Sequence, residues 1–436
     1  MTLPSTRDVR FRAAFPGSEV VDTVASRAVH DHAGPLAWLA TALLGLLVFV
    51  NEANFRAPTD MEEFSFDWQI GARLLVGAAC GLFGLSSWRF LASDLCRPPM
   101  LLALLLGIWA ALGVPFALNP VHAAGATCSL WCMLFFAPAL MRQLGPRQIA
   151  ATILVSLLTF LAVSWVAQFV APELGAFEQD SGEEPVFRLG GLTHPNALGR
   201  NASFAVAMAL VLGIGGYARW RALAVPIAFA LVTLAATGSR TSMLTAAACC
   251  GLIWVRRVSW TSIVAAACAA ALAAALMAAT GATVKDLAGG ISRTGDAEEI
   301  YSFTGRTELW DFVAGRIADS PCFGYGYGGG RFVIVGAHFF ATGHAHNELL
   351  NVTLNVGLFG GAMLLGMFAV LFVQMLRSPS SFPDLIVLLL FLGGLTESNV
   401  FSTTANWNTV ALLMALRWRQ AFPETLVRRE SAGPGS

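Results

Sequence analysis

The sequence contains few charged residues, and lysine is almost absent from it. Of its 436 residues, 12% are charged and 56% are hydrophobic, and Lys285 is the only lysine. Soluble domains carry roughly a quarter charged residues. The composition therefore excludes an ordinary soluble protein and predicts a polytopic membrane protein surrounded by membrane lipids. The formal net charge is zero, which gives no sign of a nucleic-acid partner, and we expect none.

Three other features are missing. The predicted outward loops contain no Asp-x-Asp motif, which sugar transferases that depend on a divalent ion would show. The cysteines lie mostly in apolar runs and Cys322 stands alone in a long loop, so the sequence predicts no disulfide framework. The first 36 residues lack a short apolar core with a cleavage site, so we expect no removable signal peptide and a retained N-terminal tail.

Long apolar runs are abundant, and a spanning helix needs about 20 apolar residues. The hydropathy predicts about twelve transmembrane helices in an all-α integral membrane protein. They lie at 36–50, 69–87, 100–117, 123–141, 149–171, 197–217, 221–237, 241–255, 260–281, 347–376, 383–397 and 407–417.

Arginine is distributed unevenly between the predicted loops, and arginine-rich short loops face the cytoplasm. Arginines collect in the N-terminal tail, in alternate loops and in the C-terminal tail, at Arg7, Arg10, Arg12, Arg27, Arg89, Arg97, Arg142, Arg147, Arg219, Arg221, Arg256, Arg257, Arg377, Arg417, Arg419 and Arg429. The opposite connections carry acids, among them Glu52, Asp60 and Glu173. This asymmetry predicts an even number of spans with both termini in the cytoplasm.

The domain organisation follows from the spans. We predict a cytoplasmic tail over 1–35, nine spans over 36–281, a large periplasmic loop over 282–345, three spans over 346–418 and a cytoplasmic tail over 419–436. Within the loop, residues 296–320 have the apolar spacing of an amphipathic helix, which we expect at the membrane surface.

Three arginines lie in polar motifs on the predicted periplasmic side. Arg188 precedes Gly-Gly-Leu-Thr-His-Pro-Asn, Arg240 ends Thr-Gly-Ser-Arg in a very short connection, and Arg306 follows Gly305 in the long loop. A guanidinium suits bidentate contact with phosphate oxygens. The alternatives are a simple loop with a helix start for Arg188, snorkelling to water for Arg240, and a surface ion pair with Glu308 for Arg306.

His344, His346 and Asn347 close the long loop where the next span begins. An imidazole can accept a proton near neutral pH, so either histidine is a candidate general base. A structural pair at a helix cap and a metal site are the alternatives. Metal is disfavoured because no carboxylate cluster nearby in the sequence completes a ligand shell. His194, Asn196, Ser239 and Tyr325 are candidate supporting residues in the neighbouring motifs.

Together these residues favour a reaction in which a diphosphate leaves and a hydroxyl attacks. The arginines would neutralise the leaving group in place of a metal, and a histidine would deprotonate the hydroxyl. Lipid-linked sugar diphosphates of the bacterial envelope fit this requirement, because their tails lie in the bilayer and their heads reach the outer face.

The ordered motifs resemble those of the O-antigen ligase and polymerase family. They are Arg188 with the following Gly-Leu-Thr-His-Pro-Asn, the Thr-Gly-Ser-Arg ending at Arg240, Gly305-Arg306 with Trp310, Pro321 with Gly324 and Gly326, and His346-Asn347 leading to Gly357.

The resemblance implies a cofactor-free, metal-independent, GT-C-like inverting glycosyltransferase of the bacterial inner membrane. Its donor would be a glycan on undecaprenyl diphosphate and its acceptor a sugar hydroxyl of lipid A-core. By the family pattern, His346 is the catalytic residue, while Arg188, Arg240 and Arg306 hold the donor diphosphate. The part of His344 is left open.

Other functions share parts of this pattern. A polymerase joining lipid-linked repeats and a protein O-oligosaccharyltransferase use the same donor, but the long loop is moderate in size and lacks an appended soluble domain, which favours the ligase. A lipid-linked glycan transporter would place ionisable groups inside its spans, where this sequence has few. A non-catalytic assembly protein would tolerate the loss of His346.

Overall fold

The computed structural model describes residues 34–54, 68–172, 176–179, 186–257, 306–337, 343–401 and 406–426. Its helices are α1 (Pro35–Glu52), α2 (Trp68–Leu85), α3 (Trp88–Leu95), α4 (Met100–Gly113), α5 (Pro120–Gln143), α6 (Pro146–Val170), α7 (Pro195–Ile214), α8 (Trp220–Thr237), α9 (Arg240–Arg257), α10 (Arg306–Asp319), α11 (Gly330–Gly336), α12 (Glu348–Arg377), α13 (Ser381–Gly394) and α14 (Trp407–Ala421). Two short 3₁₀ helices lie at Val114–Phe116 and Pro423–Thr425.

Helices occupy every predicted span that falls within the described residues; the span predicted at 260–281 lies outside them. Among the described residues, seven helices are long and apolar enough to cross a membrane, and α3 with α4 and the 3₁₀ turn forms a further pair bent by 103°. The chain is thus a mostly helical, multi-pass membrane protein. The total of twelve spans and the domain boundaries stay predictions.

The core of the bundle is formed by α5, α7 and α14. Every residue of α14 from Trp407 to Trp418 is buried, although the helix is only 15 residues long. The indole of Trp407 donates to the Glu52 carboxylate at 2.6 Å, and Arg200 on α7 pairs with the same carboxylate at 2.8 Å. Glu52 was expected in an exposed acidic loop. It is the last residue of α1, and only 5% of it is exposed.

The mostly helical fold agrees with the predicted all-α class, and the described residues contain one short sheet. Strand β1 (Ala176–Gln179) pairs antiparallel with β2 (Val186–Leu189), in the connection that the sequence suggested to be a plain acidic loop. The register pairs Phe177 with Arg188. Four-residue strands leave almost no periodic signal in a sequence, yet this hairpin fixes the position of Arg188 just before α7.

Helix α12 is broken near its middle. Val356 and Gly357 leave the helical conformation, and Gly357 has φ 74° and ψ −177°. This backbone region is open essentially only to glycine. A Cβ atom on Gly357 would also lie 2.0 Å from the Cys322 carbonyl oxygen. The loop after α10 therefore packs directly against the break.

The polar groups freed by the break are satisfied by neighbouring segments, as an apolar environment requires. The bonds run from Leu358 N to Pro321 O at 2.8 Å, from Tyr325 N to Leu354 O at 3.0 Å, from Gly330 N to Asn355 Oδ1 at 2.9 Å and from Trp109 Nε1 to Val356 O at 3.0 Å. The glycine-rich segment around Gly324 is thus a structural partner of the broken helix.

Helices α9 and α13 run between two polar regions. At one end, Asp384 near the start of α13 contacts both Arg256 and Arg419. At the other end lie Arg240, the first residue of α9, and the segment that follows Gly394. Arginines expected in the cytoplasm therefore collect at the end of these helices opposite to the motif of Arg240.

We predict that Gly357→Ala destabilises the protein by about 1–3 kcal/mol from backbone conformation alone, with more from the clash at Cys322. Thermal unfolding in detergent, followed by tryptophan fluorescence, measures this. Gly366→Ala on the same helix is the matched control, because its Cβ would make ordinary contacts of 3.4 and 3.8 Å with Leu102. Equal melting temperatures for the two variants would contradict this account of the break.

Candidate functional site

A carboxylate collects the predicted motif residues around itself. Glu397 Oε1 accepts from Asn196 Nδ2 at 2.9 Å and from Arg306 Nη2 at 3.1 Å. Its other oxygen, Oε2, lies 3.0 Å from His346 Nδ1 and 3.7 Å from His344 Nε2. These five residues are called the Glu397 cluster below. Motifs that are up to 201 positions apart in the sequence meet in it.

Ends of helices position the cluster. Asn196 is the second residue of α7, whose N-cap is His194, and the His194 ring accepts from the Asn196 backbone N–H at 3.2 Å. Arg306 is the first residue of α10. Glu397 follows the end of α13 at Gly394. Since helix ends carry unsatisfied backbone groups, polar side chains are expected where several ends converge.

The turn that holds the two histidines is anchored by Asn347. Its Oδ1 caps α12 by accepting from Leu350 N at 3.1 Å, and its Nδ2 donates to Leu395 O at 3.2 Å. The cap thereby ties the histidine turn to the segment that carries Glu397. His346 itself has φ 47°, a left-handed conformation that is uncommon for residues other than glycine.

The electrostatics favour an ionised carboxylate beside a neutral imidazole. Burial alone would raise the pKa of Glu397, but hydrogen bonds and charges from His344 and His346 hold that pKa well below its usual value. Burial lowers the pKa of His346, opposed in part by its bond to Glu397. At neutral pH, Glu397 therefore carries the charge and His346 does not.

This charge state sets the tautomer of His346. An ionised carboxylate is only an acceptor, so Nδ1 must donate its proton to Glu397 Oε2. The lone pair then lies on Nε2, and this nitrogen can take a proton from a ligand. The arrangement matches the general pattern of a base held in orientation by a third group.

The three predicted arginines have different surroundings. Arg306 pairs with Glu397 and also donates to Thr396 O at 2.6 Å, so its partner is not the Glu308 considered from sequence. Arg188 is buried, and it donates from Nε to Thr237 O at 2.8 Å and from Nη2 to Asn196 Oδ1 at 2.9 Å. It therefore supports the cluster through Asn196.

Arg240 is connected to the Glu397 cluster by Thr241, the residue that follows it. It begins α9 after Gly238, which has φ 59° at the end of α8. The next residue, Thr241, accepts a hydrogen bond at 3.1 Å from the hydroxyl of Thr396, the residue before Glu397. Binding of a diphosphate by Arg188, Arg240 and Arg306 stays a prediction.

The remaining supporting candidates divide into two groups. Ser239 is buried and shares a 2.8 Å hydrogen bond with Ser242, which fixes the start of α9. Tyr325 lies further out: its hydroxyl donates to the Arg316 carbonyl at 3.2 Å, and its backbone bonds to the broken α12. Tyr325 therefore links α10 to the broken α12.

Glu397 was not among the predicted site residues. It closes an apolar run assigned to the span 383–397, so it looked like the last residue of a helix rather than a site residue. One signal was present: Thr-Glu-Ser-Asn interrupts the apolar pattern directly after Leu395. Hydropathy gives no indication of which other helix ends meet such a segment.

A buried acid holds the segment after Glu397. The carboxylate of Glu348 on α12 is buried and accepts three backbone N–H bonds, from Asn399 at 2.5 Å, Val400 at 2.9 Å and Phe401 at 3.0 Å. Three donors converging on one carboxylate are charge-assisted bonds. They fix the path of the chain immediately downstream of the Glu397 cluster.

A small open cleft adjoins the cluster between α7, α9 and α13. Its lining residues are Asn196, Arg200, Ser239, Thr241, Ser242, Thr245, Glu397 and Asn399 with Leu389 and Gly393. Such a lining offers hydroxyl, amide and guanidinium groups to a polar ligand.

The family model for O-antigen ligases matches residues 225–365. This segment is therefore similar to O-antigen ligases. The family resemblance expected from the motifs is thus confirmed for the part of the chain that holds Arg240, Arg306 and His346. Asn196 and Glu397 lie outside the ligase segment and complete its cluster from both sides. No curated protein matches the chain.

We predict that Glu348→Gln lowers the stability of the protein by about 1–3 kcal/mol, because an amide NH₂ group replaces one of the buried oxygens that accept the three backbone bonds. Thermal unfolding in detergent measures the loss. Glu308→Gln is the matched control, since Glu308 is exposed in the first turn of α10. A Glu348 variant as stable as the Glu308 variant would mean that the three bonds do not hold the segment.

Proposed function

We propose that the protein is an O-antigen ligase, a glycosyltransferase that moves a glycan from undecaprenyl diphosphate to a sugar hydroxyl of lipid A-core. The observation that carries the proposal is the contact between His346 Nδ1 and the Glu397 carboxylate, which leaves Nε2 as a base at the end of the bundle. The family of residues 225–365 supports a lipid-linked glycan as donor and lipid A-core as acceptor.

In this mechanism the acceptor hydroxyl gives its proton to His346 Nε2 as its oxygen attacks the anomeric carbon. The bond from that carbon to the diphosphate oxygen breaks, and the electron pair leaves with undecaprenyl diphosphate. A single displacement of this kind inverts the anomeric configuration. Arg188, Arg240 and Arg306 are proposed to stabilise the departing charge, so the reaction needs no metal ion.

We place this reaction at the periplasmic face of the inner membrane, with both termini in the cytoplasm. This placement is supported by the two polar regions, which lie at opposite ends of α9 and α13. Arg256 and Arg419 lie at one end and the Glu397 cluster lies at the other. Short arginine-rich loops face the cytoplasm, which leaves the cluster on the outer side.

We expect His346→Ala to lower the transfer rate by roughly 10²–10⁴-fold, the usual contribution of a general base. The assay uses purified protein with lipid-linked glycan and lipid A-core in the presence of a chelator. His122→Ala is the control for loss of an imidazole outside the cluster. Wild-type transfer by the His346 variant would remove this residue from the mechanism.

The same assay decides between acceptors. Lipid A-core, a second lipid-linked glycan and a serine-rich protein are offered together, and the products are identified by mass. A ligase yields the glycan on lipid A-core. Products joined only to the second lipid-linked unit would make the protein a polymerase, and products on protein would make it an oligosaccharyltransferase.

We expect Glu397→Gln to reduce kcat by roughly 10²–10⁴-fold. The amide oxygen would stay toward the donors Asn196 and Arg306, so its NH₂ group would face His346. His346 Nδ1 would then accept, and the proton would move to Nε2, where it blocks the base. Glu308→Gln is the control. An unchanged kcat for the Glu397 variant would exclude the orienting role.

A further inference from the structure

The Glu397 cluster has the donor set of a zinc site. His344 Nε2, His346 Nδ1 and a Glu397 oxygen all lie within 4.8 Å of one another. Two imidazoles with one glutamate are a set that zinc enzymes use, leaving the fourth position open. The sequence disfavoured a metal because it shows no carboxylate near the two histidines. The fold supplies that carboxylate from a segment 51 positions away.

The distances fit one tetrahedral ion. With bonds of about 2.0 Å, the ligands of a tetrahedral zinc ion lie about 3.3 Å apart. The two measured separations from Glu397 Oε2 are 3.0 Å to His346 and 3.7 Å to His344. The two histidine nitrogens lie within 4.8 Å of each other, so side-chain rotations that bring this separation to about 3.3 Å would place all three donors around a common ion.

The neighbouring residues leave Oε2 of Glu397 accessible to a zinc ion, but they also limit the affinity of the site for zinc. Asn196 and Arg306 bind Oε1 of Glu397, so Oε2 faces the histidines. The side chain of His344 is 42% exposed, which gives an ion a path from solvent. Arg306 places a positive charge beside the site, which opposes a dication and favours an anionic fourth ligand.

We propose that His344, His346 and Glu397 bind Zn²⁺ and that this binding inhibits the protein. His346 would change tautomer: Nδ1 gives its proton to solvent, Nε2 takes up a proton from solvent, and Nδ1 binds the ion through the freed lone pair. The proton on Nε2 then blocks this nitrogen as a base. Glu397 Oε2 would then coordinate the metal ion instead of accepting the hydrogen bond from His346 Nδ1. Zinc binding stands on the geometry alone, whereas inhibition also rests on the proposed role of His346 as the base.

Binding is tested without substrate. Purified protein, carrying no polyhistidine tag, is titrated with Co²⁺ as a spectroscopic probe and then with Zn²⁺ in competition, with Mg²⁺ in excess as a control for an ion that prefers oxygen ligands. We expect the visible absorption of tetrahedral Co²⁺ in the wild type and displacement by one equivalent of Zn²⁺.

His344→Ala should weaken zinc binding by at least about tenfold. The matched control is the double variant His30→Ala with His32→Ala, which removes a histidine pair of the same one-residue spacing elsewhere in the sequence. Absence of the cobalt spectrum in the wild type, or wild-type zinc affinity in the His344 variant, would overturn the proposed site.

Inhibition is then measured by adding Zn²⁺ to the transfer assay and removing it with a chelator. We expect reversible loss of transfer over the concentration range in which zinc binds, and at least about tenfold lower zinc sensitivity in His344→Ala, relative to its own rate. Bound zinc without loss of transfer would overturn the inhibitory role. Failure of the proposed function appears separately, as transfer by His346→Ala, and leaves the cobalt result intact.

Discussion

The candidate site depends on the hydrogen bonds and ion pairs of the half-buried Glu397 carboxylate. A carboxylate in this position is costly unless it is well hydrogen-bonded, and here donors from α7, from α10 and from the turn before α12 supply those bonds. Removing any one of these elements would leave the charge poorly compensated. The hydrogen bonds that stabilise the Glu397 carboxylate also bring the separate motifs together. The stability of this charge and the geometry of the site therefore have the same cause.

The segments around this carboxylate lie at the ends of helices or at a break within a helix. Helix α12 breaks at Gly357, and the loop after α10 fills the gap with its own backbone hydrogen bonds. The start of α12 carries Asn347 and Glu348, which hold the segments before and after Glu397. Apolar packing of α5, α7 and α14 supplies the support against which these irregular segments can be fixed.

Much of this structure follows from the sequence. Hydropathy located the helices in the described part of the chain, and the motifs identified Asn196, Arg306, His344 and His346, which the fold brings together. These features could be predicted because apolar length and unusual polar residues are local properties. Arg188 was also singled out, although its observed contacts are internal.

Other features depend on contacts between distant segments. The apolar run at 347–376 gives no indication that the helix breaks, because hydropathy depends on the polarity of the side chains and not on the backbone conformation. The strands β1 and β2 are too short for a periodic pattern. From the sequence, Glu52 looked like a loop residue and Glu397 like the end of a helix. Their roles depend on partners from distant helices: α7 and α14 bind Glu52, and α10 binds Glu397.

His346 combines a left-handed backbone with a ring that is held from one side. Within the part of the chain that the structure describes, it is the one residue other than glycine with a positive φ. The backbone and the cap at Asn347 fix the direction of its Cα–Cβ bond, and the contact of Nδ1 with Glu397 holds the ring. This ordering takes place during folding, so a ligand that binds the imidazole has little side-chain rotational entropy left to remove.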